Sequence, residues 1–198
     1  KTASDSGGLR LSYGDVELIN CIISKNEASS HSGAILSYPG NLIIKNSTIY
    51  GNIAGYKVGG IYQYGGGNLE LVNSIVYGNT KEQIGNHGAN QKLYNSIIQG
   101  GVSNFYEHPN DGPMGPITES NVFDWDPLFE NPDENDFHLK ANSLAVNAGD
   151  FAKSSEISID LAGNPRFVGV DVDLGAYEYQ VDPDSDGDGL LDGEEANK

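Results

Sequence analysis

The 198-residue chain has one cysteine, one methionine and one tryptophan. A lone cysteine, Cys21, excludes an internal disulfide framework. It shares a register with Ser47, Ser74 and Ser96, which fits a small packed residue. Basic residues are scarce: 11 Lys and Arg stand against 28 Asp and Glu, a net charge of −17. That balance argues against nucleic acid and anionic membrane surfaces as partners, and it is compatible with divalent cations. No apolar run has the length of a membrane span, and no signal peptide is recognisable. Helical periodicity is also missing, so helices should be scarce. The histidines, His31, His87, His108 and His138, are scattered without ligand spacing.

Glycine, by contrast, is plentiful at 26 residues, and a motif recurs four times. It reads Val16-Glu-Leu-Ile-Asn20, Leu42-Ile-Ile-Lys-Asn46, Leu69-Glu-Leu-Val-Asn73 and, more worn, Gln91-Lys-Leu-Tyr-Asn95. The asparagines are 26, 27 and 22 residues apart, a solenoid period. Each unit carries three short β-rich runs bounded by Gly, Asn, Asp or Pro. The expected fold is all-β: a right-handed parallel β-helix of about four coils over residues 1–101. Stacking places Leu9, Ile35 and Ile61 in one inward row. Val16, Leu42 and Leu69 form a second row, and Leu18, Ile44 and Leu71 a third. Ile23, Ile49, Val76 and Ile98 form a fourth.

The row Asn20, Asn46, Asn73, Asn95 falls where the chain turns. It reads as a structural ladder of stacked amides, which satisfy one another's donors and acceptors; the alternative is that each asparagine merely starts a turn. The charged coil residues, Glu17, Lys45 and Glu70 among them, read as scattered over different rows. Tyr38, Tyr62 and Tyr64 fit either a glycan-stacking face or ordinary strand tyrosines. This region resembles the parallel β-helix repeats of bacterial surface proteins and polysaccharide-degrading enzymes, over residues 6–101. The resemblance speaks for fold, since one fold hosts many activities.

Residues 102–123 read as a long loop packed over the end of the coil stack; Phe105, Tyr106 and His108 offer the alternative of an exposed aromatic patch. Residues 124–180 read as an irregular β cap. They carry Asp126-Pro-Leu-Phe129, Asn147-Ala-Gly-Asp150, Gly163-Asn-Pro-Arg166 and Asp173-Leu-Gly-Ala-Tyr-Glu178. Those motifs resemble the choice-of-anchor Q module of secreted bacterial proteins, which implies export and attachment at the cell surface. Asp124, Asp126, Asp171, Asp173 and Glu178 are better explained by turns and by pairing with Arg166 than by a metal.

Residues 181–198 hold Asp184-Ser-Asp186-Gly-Asp188-Gly189-Leu190, followed by Asp192 and Glu195. This meets the twelve-residue calcium-loop pattern in full. Asp184, Asp186, Asp188, Leu190 (through its carbonyl), Asp192 and Glu195 would bind Ca²⁺ through hard oxygen donors. The loop resembles thrombospondin type 3 and dockerin-like calcium linkers. Lys1 opens inside a repeat and the acidic tail reads as a linker, so a longer parent chain is expected.

Together these features lead to an extracellular or cell-surface bacterial protein, structural or adhesive, that meets a polysaccharide or another surface component. Catalysis is the weaker expectation. The alternatives are the C-terminal part of a polysaccharide lyase or glycoside hydrolase, and a filament subunit that self-associates by coil stacking.

Overall fold

The computed structural model describes residues 4–106 and 113–180. The chain winds through about four coils of a parallel β-solenoid. The first coil holds β1 (Leu9–Leu11), β2 (Val16–Ile19), β3 (Ile22–Ser24) and the two-residue β4 (Glu27–Ala28). The second holds β5 (Ile35–Ser37), β6 (Asn41–Lys45), β7 (Thr48–Tyr50) and β8 (Ile53–Ala54). The third holds β9 (Val58–Tyr64), β10 (Asn68–Val72) and β11 (Ile75–Tyr77). In the fourth, β12 (Glu82–His87) is followed by β13 (Asn90–Ile98), one strand that serves two flanks. Helix is limited to three single turns of 3₁₀ geometry among the described residues. None is long and apolar enough to cross a membrane.

The flanks follow directly. The first stacks β1, β5, β9 and β12; the second stacks β2, β6, β10 and the start of β13; the third stacks β3, β7, β11 and the end of β13. Register repeats the sequence motif: Leu9↔Ile35↔Ile61, Val16↔Leu42↔Leu69, Leu18↔Ile44↔Leu71, and Ile23↔Ile49↔Val76↔Ile98. These residues point inward because side chains alternate along a strand. In the second to fourth coils they are buried and form one core.

The chain turns from second to third flank on a single residue. Asn20, Asn46, Asn73 and Asn95 have φ of 48°, 44°, 48° and 44°. Left-handed backbone costs an ordinary L-residue roughly 1–2 kcal/mol, and asparagine tolerates it best after glycine. The row is therefore a row of corners.

Two sequence expectations change here. Residues 102–123 are not one long loop. β14 (Ile117–Phe123) lies within them and pairs in parallel with β13, from Gln91↔Ile117 to Ile97↔Phe123. It carries a fifth corner, Asn121 at φ 55°, 26 residues beyond Asn95. The segment before it does pack over the coil end: Phe105 is buried in the solenoid core, with Val102 and Met114 against the same cluster. His108 lies outside the described residues.

The closing module is also not a cap on the coil end. It lies along the third flank, whose outer face is apolar. Ile75 and Ile97 are buried there against Phe129, Phe137, Leu139, Ala145 and Leu174. Phe129 and Phe137 belong to β15 (Phe129–Asn131) and β16 (Asp136–Leu139), an antiparallel pair. An apolar outer flank needs covering more than a coil end that Phe105 already fills.

Candidate functional site

Three side-chain ladders run along the solenoid. The amide ladder exists, but in a different row from the expected one. Asn52 Oδ1 accepts from the backbone and side-chain amides of Asn26, both at 3.0 Å; Asn79 Oδ1 accepts from those of Asn52 at 2.9 and 2.8 Å. Gln83 continues it, its Oε1 taking Asn79 Nδ2 at 2.7 Å. A serine ladder links the backbone N–H of Cys21 to Ser47 Oγ, of Ser47 to Ser74 Oγ and of Ser74 to Ser96 Oγ. A third ladder joins Asp15, Asn41, Asn68 and Asn90 through their side chains.

The expected row does something else. Asn20 Nδ2 donates to the Ile159 carbonyl at 2.7 Å. Asn73 donates to the Asp150 carbonyl and Ser154 Oγ and accepts from the Asp150 N–H at 2.9 Å. Asn95 donates to the carbonyls of Ala148 and Gly149. The amides of Asn20, Asn73 and Asn95 fasten the closing module to the coil. They do not stack, because a left-handed corner turns the side chain outward.

A groove lies on the second flank. Its floor is the column Glu17, Ile43, Glu70, Lys92, one residue per coil in register. Glu17 and Glu70 thus share a row, correcting the reading that the coil charges scatter. Both occupy the second position of the motif, where the sequence already displayed them. Asp15, Asn41 and Asn68 of the third ladder form one rim. The cleft has a volume of about 420 Å³ and is lined by residues of the coils.

Lys45 ties the floor residue Glu17 to the closing module, its Nζ 2.6 Å from Glu156 and 3.3 Å from Glu17. Hydrogen bonding to Glu156, then to Glu17, raises the Lys45 pKa, and Lys45 in turn lowers that of Glu156. Lys45 is therefore held as the ammonium. Lys153 Nζ of the closing module sits 4.3 Å over the Tyr94 ring. The groove carries three carboxylates, Asp15, Glu17 and Glu70, against one outward lysine, Lys92.

The tyrosines meet on the first flank. Tyr62 is 1% exposed, so its ring offers no face to a sugar. The reason lies one coil on: Gly85 pairs with Tyr62, and a Cβ there would stand 2.7 Å from the ring. Lys57 Nζ covers Tyr62 from outside, 4.7 Å from the ring centroid and 2.9 Å from the hydroxyl. Tyr38 and Tyr64 remain at the surface, edge to face at 6.0 Å, and Tyr64 leans on His87 at 4.5 Å.

In the closing module Arg166 is fully buried. It donates to the carbonyls of Asp173 and Gly175 and lies 3.7 Å from Glu178. Asp173 receives the N–H groups of Asn147 and Tyr179; Glu178 receives those of Val168 and Asp173. The acidic residues thus serve turns and Arg166, as the sequence suggests. Burial, with the neighbouring Asp173 charge, raises the Glu178 pKa to about 8.

The calcium-loop residues Asp184, Asp186, Asp188, Leu190, Asp192 and Glu195 lie outside the described residues. Comparison with family models, curated proteins and solved structures found no match for this chain.

Proposed function

We propose that the protein is a secreted, surface-associated bacterial solenoid with a structural and adhesive role, and that the groove over Glu17, Ile43, Glu70 and Lys92 binds a neutral glycan. The observation that carries this reading is the groove itself. It crosses four coils and is floored by one side chain per coil. Carboxylates and amides on its floor and rim suit sugar hydroxyls, which both donate and accept. Its acidic excess repels polyuronates, and Lys45, pinned as a cation between two glutamates, is a poor proton abstractor. A uronate lyase therefore fits badly.

The closing motifs support surface attachment through the choice-of-anchor Q resemblance. The donor set Asp184 to Glu195 suits Ca²⁺, which would stiffen the tail at extracellular calcium levels. Filament growth by coil stacking fits less well, because Phe105 fills one end of the stack.

A glycoside hydrolase is the second reading. Glu17 and Glu70 lie two coils apart on one row, roughly 9–10 Å by strand spacing. That is near the upper end of the roughly 6.5–9.5 Å of inverting enzymes.

The test is retardation of the protein in gels containing neutral or acidic polysaccharides, with calcium and with chelator, alongside assays for reducing ends. Retardation by a neutral polysaccharide, weakened in Glu70→Ala, is the expected result. Release of reducing ends that vanishes in Glu70→Gln would replace adhesion with hydrolysis. No retardation by any polysaccharide would sink the glycan reading.

A further inference from the structure

A separate cavity of about 260 Å³ opens on the third flank, where the closing module meets the coils. The solenoid contributes Tyr50 from β7 and Tyr77 from β11. The module contributes Asp126 and Phe129 from the Asp126-Pro-Leu-Phe129 motif, and Lys140 just after β16. Phe129 stands edge-on to Tyr50 at 5.6 Å, so one wall is aromatic. The Asp126 carboxylate is fixed by the Leu128 N–H, 2.9 Å from its Oδ1.

The polar groups here are open. Among the described residues, neither the Tyr50 nor the Tyr77 hydroxyl has a hydrogen-bond partner, and the Lys140 ammonium has none. Burial, helped by the charges of Asp133 and Asp126, raises the Tyr50 pKa; burial, with Asp126 and Asp124, raises that of Tyr77. Both phenols therefore stay protonated and able to donate. The cavity thus offers two phenol donors, one ammonium donor and one carboxylate acceptor beside aromatic rings.

We propose that this cavity is a second ligand site, distinct from the groove, and that it takes a single neutral sugar ring. Such a ring presents hydroxyls at its edge for Asp126, Lys140 and the phenols, and a C–H face for the aromatic wall. An anionic ligand would meet the charges of Asp124, Asp126 and Asp133, and a cationic one would meet Lys140.

The test uses the full chain with tyrosine ring resonances observed by NMR. The methyl glycosides of glucose, galactose, mannose and N-acetylglucosamine are titrated separately. The expected result is a saturable shift of the Tyr50 and Tyr77 signals with at least one of them. Asp126→Asn and Lys140→Met should each weaken that binding about tenfold or more, the loss of one hydrogen bond to a charged group. Lys140 is exposed and its side chain has no partner among the described residues, so Lys140→Met keeps the test valid should Asp126→Asn disturb the local turn. Glu70→Ala should leave the shift unchanged. No saturable shift with any of the four probes, or equal affinity in both site variants, would overturn the proposal. Loss of the shift in Glu70→Ala would overturn the separateness of the two sites.

Discussion

Asn46 is fully buried, yet neither atom of its side-chain amide finds a partner among the described residues, while Asn73 one coil on makes three hydrogen bonds to the closing module. The two share a left-handed corner and differ in what the amide does. At Asn46 the side chain serves conformation alone, so glycine, which adopts positive φ freely, is a good replacement and alanine a poor one. Asn46→Ala should be less stable than Asn46→Gly by about 1 kcal/mol. At Asn73 glycine keeps the corner but strands the Asp150 N–H and Ser154 hydroxyl. Asn73→Gly should therefore cost about 2–3 kcal/mol more than Asn46→Gly. Denaturant midpoints at constant slope measure both differences. Equal costs for the two glycine variants would mean that Asn46 is also engaged.

At the scale of elements, the closing turn from Asp173 to Tyr179 depends on a buried group of like charges. Asp160, Asp173 and Glu178 face one cation, Arg166, whose own pKa burial pushes down. Burial and Asp173 raise Glu178 to about 8, so it stays protonated at neutral pH. An acid whose folded pKa lies above its unfolded value contributes stability fully below the unfolded value, about 4.3. That contribution is lost as pH rises through about 8. The protein should therefore be less stable at pH 9 than at pH 6. Glu178→Gln, neutral at both, should flatten that slope, as thermal melts at the two pH values would reveal. A wild-type slope retained in the glutamine variant would assign the titration to another group.

The elements also mark what the chain displays openly. The inward rows are legible because each aliphatic residue recurs at the coil period and needs no partner outside the repeat. The asparagine row is equally visible, but its partners are not. Ile159, Asp150 and Ala148 arrive from a segment with no repeat to align. β14 escapes a periodicity reading because residues 102–116 intervene and Thr118-Glu-Ser120 replaces the apolar run, leaving Asn121 as the only clue. Burial of Tyr62 is invisible for another reason: it depends on Gly85 in the next coil, and a glycine announces space without saying who fills it.

The whole molecule is a stack in which each coil touches mainly its neighbours, so stability should vary along its length. Leu71, in the third coil, has strands on both sides and is fully buried. Leu18 occupies the same inward row in the first coil, where among the described residues β2 pairs only with β6, and it is only half-buried. Truncation at Leu71 removes transfer energy and leaves a cavity that neither neighbouring coil can collapse into. Truncation at Leu18 removes less buried surface, and water reaches the gap. Leu71→Ala should cost about 3–5 kcal/mol and Leu18→Ala about half of that or less. Chemical denaturation of the two variants gives the comparison directly. If the row were equally costly to truncate at both places, the first coil could not be standing half-open at its outer edge. A second copy, or another coil seated on β1, β2 and β3, would then have to be covering it in solution, and the mass of the wild-type particle would show which.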